Sequence, residues 1–275
     1  MKDNTIRIRS GGWVVPFLEK VPFLSDSARS RGWYYVISWC HRISGVGLVV
    51  YLLIHIYTLS SLQTPAVYDG KMKLLAIPVV VFLAWLSCLP VVFHALNGGR
   101  LILYESFGSR NDETLIRWTF GLTALYAAVF GLLILMKSQS VSPFFFWILF
   151  VPAALLAAYA VGARIWRSGH TLYWKLQRIT GAFLLVAVPA HLLFSHLNPG
   201  VAHEAQAVIL RMQSVFIKAV DIVIAVSALY HAGYGLFSIG ADYIRTRSIR
   251  RLYTAAVVAV FAVFLFIALR LTVSI

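Results

Sequence analysis

HRISGVGLVVYLLIHIY, residues 41–57, decides the fold, because a second version of it stands further along the chain. Aligned without gaps, it matches QRITGAFLLVAVPAHLL at 177–193, with Arg42 on Arg178, Gly45 on Gly181 and His55 on His191. The segments that follow match too. FHALNGGR at 93–100 falls on YHAGYGLF at 230–237, which puts His94 on His231 and Gly98 on Gly235. The two histidines are 39 residues apart in the first copy and 40 in the second. Both copies open on an apolar run of the length that crosses a membrane. Both carry an ionisable ring deep inside that run, where it is costly unless something holds it.

The rest of the chain agrees with a membrane setting. Of its 275 residues 60% are apolar and 12% charged, far more apolar material than a soluble core of this length needs. Seven apolar runs stand out, at roughly 34–62, 74–99, 115–136, 143–163, 178–197, 214–240 and 252–272. Pro78, Pro90, Pro152 and Pro189 fall inside them and are tolerated where neighbouring helices satisfy the freed carbonyl.

The net charge of +14 is not one nucleic-acid-binding patch but alternates from loop to loop. With the N-terminus inside, 18 of the 24 Lys and Arg lie in cytoplasmic segments, the pattern of the positive-inside rule, and the C-terminus is outside. Residues 1–33 lack the apolar core of a signal peptide and read as a basic cytoplasmic arm. Cys40 and Cys88 are too few for a four-thiolate iron–sulfur cluster, and no CxxCH motif for covalent haem is present.

Each copy holds three spans, so an extra helix at 143–163 is needed to return the chain and give both copies one orientation. The expected fold is an all-α polytopic transmembrane bundle. It divides into an arm (1–33), a first three-helix repeat (34–136), a connecting span (137–163) and a second repeat (164–275).

One intramembrane histidine is often a polar interhelical contact; four at repeated positions are another matter. At 1.5 Å per residue, His55 lies about 20 Å from the Arg42 boundary, and His94 about 9 Å from the Arg100 boundary. The four therefore form two layers, one histidine per copy in each. Facing imidazoles across a pseudo-twofold axis suit a planar cofactor, and neutral imidazole ligates haem iron. We expect two b-type haems, His94 with His231 nearer the cytoplasm and His55 with His191 nearer the outside. Gly98 and Gly235, four residues after their histidines, leave room on the same helix face where a porphyrin ring must approach the backbone. His41, Arg42 and Arg178 stand at the boundary to meet haem propionates. His196 is an alternative ligand to His191, and His170 and His203 read as solvated loop residues.

The motifs S-x-x-H-R-x-S-G (Ser38–Gly45), H-x-x-N-G-x-R (His94–Arg100) and H-x-x-x-G followed by D-Y (His231, Gly235, Asp242, Tyr243) resemble the membrane anchors of succinate dehydrogenases and fumarate reductases. Copy one looks like the first anchor subunit of the two-anchor enzymes and copy two like the second, here fused, with seven spans where fused anchors usually have five. The resemblance implies a flavoprotein and an iron–sulfur subunit on the cytoplasmic face of a bacterial inner membrane, with quinone as the lipid-soluble partner. It implies that Ser38, Arg42 and Tyr243 bind quinone, and that Gly45, Arg100 and Gly181 belong to the cofactor motifs. It also admits members without haem. The rival from another class is a secondary transporter, for which Asp221 is the carboxylate nearest mid-membrane.

Overall fold

The computed structural model describes residues 33–109, 111–136, 139–197 and 204–275. The N-terminal arm and His203 lie outside the described residues. Among the described residues regular structure is entirely helical. The long helices are α1 (Trp33–Ser60), α3 (Pro78–Phe107), α4 (Asp112–Met136), α5 (Pro143–Ile165), α6 (Leu172–Leu197), α8 (Val215–Tyr243) and α9 (Arg247–Ser274). Two short helices, α2 (Pro65–Leu75) and α7 (Ala205–Met212), are additional to the seven expected spans, α2 overlapping the 74–99 run at Leu74 and Leu75 alone. All seven long helices are long and apolar enough to cross a membrane.

Local chemistry sets several ends. Proline opens α2, α3 and α5, where its missing N–H is no loss. Gly108 ends α3 in the left-handed region, φ 68°, and its N–H returns to the Leu103 carbonyl. Large apolar side chains cover the outer faces, among them Phe145, Leu156, Leu252 and Phe266, each more than 60% exposed. Surfaces of that kind belong in lipid. Inside, polar groups tie helix to helix, as membrane packing requires. The Tyr126 hydroxyl donates to the Pro189 carbonyl at 2.6 Å, and the Trp85 indole N–H to the Ala127 carbonyl at 3.0 Å.

The four histidine-bearing helices pack as a closed ring in the order α1, α3, α6, α8. Helices α1 and α6 therefore stand diagonally across the bundle axis, as do α3 and α8. The outer helices obey the same twofold relation. Helix α4 packs on α3 and α6 while α9 packs on α8 and α1, and α5 leans mainly on α6. The starts of α1 and α6 lie at one end, which we term the basic end, so both repeats run in the same direction. Helices α2 and α7 meet at the other end. There Leu62, Tyr68, Met72, Val208, Met212 and Leu271 form one buried cluster, and Asp69 accepts the Ala205 N–H at 2.8 Å. This cap end closes the bundle beyond His55.

Candidate cofactor-binding site

Both diagonals of the ring are bridged by histidines. Near the basic end, His94 of α3 and His231 of α8 have ring centroids 6.4 Å apart with planes at 89°. Near the cap end, His55 of α1 and His191 of α6 are 6.2 Å apart with planes at 84°. Both pairs expected from the repeat are thus brought together. The ring of His196 lies 4.1 Å from that of Phe130 on α4.

The first pair is oriented by backbone. His94 Nδ1 is 3.0 Å from the His41 carbonyl and His231 Nδ1 3.3 Å from the Gln177 carbonyl. Those acceptors are equivalent positions of the repeat. A carbonyl only accepts, so in both rings Nδ1 carries the proton and Nε2 keeps its lone pair, the arrangement of metal-ligating histidines. Glycine permits the approach. A Cβ on Gly45 would fall 2.8 Å from His94 Cε1, and one on Gly181 3.0 Å from His231 Cε1. Gly98 faces the His41 ring at 3.6 Å instead, and Gly235 has open space. The glycines that admit the rings are those of the facing helix.

Two imidazoles ligating one metal from opposite sides place their ring centroids about 6 Å apart, from metal–nitrogen bonds of about 2 Å and about 1 Å from each nitrogen to its ring centre. Both observed separations meet this requirement. Buried polar atoms without partners lie around the first pair: His41 Nδ1, Asn97 Nδ2 and Gln177 Oε1. His41 also stacks on His94 at 4.0 Å. The Gln177 side-chain amide rests 3.4 Å from His231 Nε2, a weak contact that ligation would displace. Around the second pair, Trp147 is buried 6.4 Å from His191. Arg211 of α7 has a buried, unpartnered Nε and is near enough to act electrostatically on both histidines. The residues present fit a bis-imidazole cofactor in each layer. Among the described residues no cluster of three or more His, Cys, Asp or Glu offers a conventional metal site.

At the basic end Arg42 donates to the Tyr243 hydroxyl at 2.7 Å and pairs with Asp242 at 2.8 Å. The end of α8 thus returns to the level where α1 begins, with Ser38 exposed one turn before Arg42. Arg178 is held by Glu105 at 2.6 Å, and Arg100 is buried against Asp112 at 2.6 Å and Asn97 at 2.9 Å. Each arginine therefore already has protein partners. Three contributors escaped the sequence reading. The Gln177 carbonyl is a backbone group, Asn97 stands inside a motif with no role of its own, and Arg211 belongs to no motif. Asp221 makes no ion pair among the described residues.

The chain matches the family described as succinate dehydrogenase/fumarate reductase transmembrane subunit over residues 33–135 and 158–269. It is also 34% identical, over 96 residues, to the succinate dehydrogenase 2 membrane subunit SdhC of Mycobacterium tuberculosis, a stretch covering 34% of this chain and 70% of that protein. No solved structure matches significantly. The matched segments include all four histidine-bearing helices and leave out most of α5, and over so large a share of its length this integral membrane protein belongs to the succinate dehydrogenase/fumarate reductase transmembrane subunit family.

Proposed function

We propose that this chain is the dihaem cytochrome b subunit of a succinate:quinone oxidoreductase. It carries electrons between a flavoprotein/iron–sulfur pair at the basic, cytoplasmic end and quinone in a bacterial inner membrane. The observation that carries the reading is the pair of histidine bridges, 6.4 and 6.2 Å, across the two diagonals of one bundle. His94 with His231, and His55 with His191, would each hold one haem b. Held by two imidazoles, such a haem would supply one-electron transfer.

The chain's own residues do the rest. The His41 and Gln177 carbonyls fix the ring tautomers, and His41 Nδ1 and Asn97 Nδ2 offer buried polar contacts to carboxylate groups of the cofactor. Quinone binds beside Ser38, Arg42 and Tyr243. Because the Tyr243 oxygen accepts from Arg42, the phenol proton remains free to meet a quinone carbonyl. Asp242, paired with the same guanidinium, holds Arg42 in that pose. Ser38 lies on the same face one turn away, on a side open to lipid.

The test is the visible spectrum of the purified assembly, reduced with dithionite. His94→Ala or His231→Ala is expected to remove one haem signal, and His55→Ala or His191→Ala the other. Full haem content in both members of either pair would overturn the assignment of that layer.

A further inference from the structure

The repeat also governs the ion pairs at the basic end. Glu105 follows His94 by 11 residues, and Asp242 follows His231 by the same interval. The arginines match likewise, so Arg42–Asp242 and Arg178–Glu105 are equivalent clamps. Each ties the first span of one copy to the second span of the other.

Beyond the exchange of Asp242 for Glu105, the clamps differ at two neighbouring positions. Where the first has Tyr243, the second has Ser106, whose hydroxyl is buried without a partner and whose carbonyl accepts from Arg164 at 3.1 Å. Where the first has Ser38, four residues before its arginine, the second has Trp174. The Trp174 ring lies under the Arg178 guanidinium at 4.7 Å and stacks on His170 at 4.0 Å. It also packs against the cluster of Ile102, Val161 and Ile165. Ser38 is exposed.

We infer that the Arg178–Glu105 clamp is a closed copy of the quinone clamp, and that Trp174 is the residue that shuts it, so the basic end takes one quinone ring per chain. The inference rests on the quinone reading of Ser38, Arg42 and Tyr243. A flat ring on a guanidinium face is the contact an aromatic ligand would make there. The indole already makes it at 4.7 Å and stacks on His170 at 4.0 Å, whereas the Arg42 guanidinium meets a ring at 5.6 Å, that of Tyr243 itself. With Ser106 in place of a tyrosine, the closed copy also lacks the phenol that the open one presents.

The experiment is photolabelling of the assembled complex with a short-tailed azidoquinone, followed by peptide mapping. Unmodified complex is expected to take one label per chain, in peptides around Ser38 or Tyr243. The double variant Trp174→Ser, Ser106→Tyr is expected to take a second label near Arg178, while Trp174→Phe keeps one. Label near Arg178 in unmodified complex would overturn the inference. So would a double variant with an intact haem spectrum and a single label. If the double variant does not assemble, Trp174→Ala alone must show label near Arg178 that excess unlabelled quinone displaces, and its absence counts against the inference in the same way. Absence of label at Ser38 and Tyr243 in unmodified complex would instead sink the quinone reading itself, and the inference with it.

Discussion

Replacing Gly45 by alanine adds one methyl group at the tightest approach in the cofactor region. Its Cβ would lie 2.8 Å from His94 Cε1 and 3.4 Å from Nδ1. Ordinary carbon–carbon contact begins at about 3.5 Å, so the ring must retreat by about 0.7 Å. It has little freedom to do so, being bonded to the His41 carbonyl at 3.0 Å and stacked on His41 at 4.0 Å. Overpacking of this kind costs about 1–3 kcal/mol. If that falls on the ligand-competent pose, the hold on the cofactor weakens about 5- to 100-fold, at about 1.4 kcal/mol per factor of ten. Gly47, two residues on, supplies the control, because a Cβ there meets nothing within 4 Å. Gly47→Ala should stabilise the helix by about 0.5–1 kcal/mol through backbone entropy alone. The assay is haem content per chain together with a spectroscopic redox titration. Gly45→Ala should deplete or shift only the component assigned to His94 and His231. Gly181→Ala, at 3.0 Å from His231, should act in the same direction. If Gly45→Ala and Gly47→Ala both left content and potentials at the unmodified values, the facing-glycine argument would be wrong.

Three further outcomes are expected. Tyr243→Phe and Ser38→Ala should retain haem and succinate oxidation by a soluble acceptor while losing most quinone-linked turnover; unchanged quinone kinetics in both would move the site. A reporter fused after Ile275 should read outside and one inserted near Ser109 inside, and the reverse result would invert the orientation. Asp112→Asn should cost about 3 kcal/mol, because it leaves Arg100, only 7% exposed, without its counter-charge. Asp242→Asn, at an ion pair 35% and 49% exposed, should cost less than about 1 kcal/mol. Thermal melting of the two variants measures the contrast, and equal losses would refute it.

Span number, common direction and the juxtaposition of the histidines are legible in the sequence, each for its own physical reason. A helix crossing lipid must be apolar over a fixed length, so α1, α3, α4, α5, α6, α8 and α9 announce themselves by composition. A repeat implies a symmetry axis, and symmetry brings equivalent residues face to face across it, as with His55 and His191. Helices α2 and α7 were not legible in this way, since capping helices at the end of a bundle need not be long or apolar.

Other features depended on which helix faces which. The spacing of Gly98 and Gly235 after their histidines places them on one helix face but does not name the neighbour on it. The tight contacts to the His94 and His231 rings are made by Gly45 and Gly181, on the diagonal's flanking helices. The partner of Arg178 is Glu105, 73 residues away, and that of Arg42 is Asp242, 200 residues away. The carbonyl that orients His231 belongs to Gln177, a position whose side chain differs from that of its repeat mate His41. Local pattern reports the period along one helix, and so it determined the spans, the layers and the residues available in each. The order of α1, α3, α6 and α8 around the axis was decided by tertiary packing, because side-chain contacts between helices depend on rotation and neighbour, which no single helix encodes.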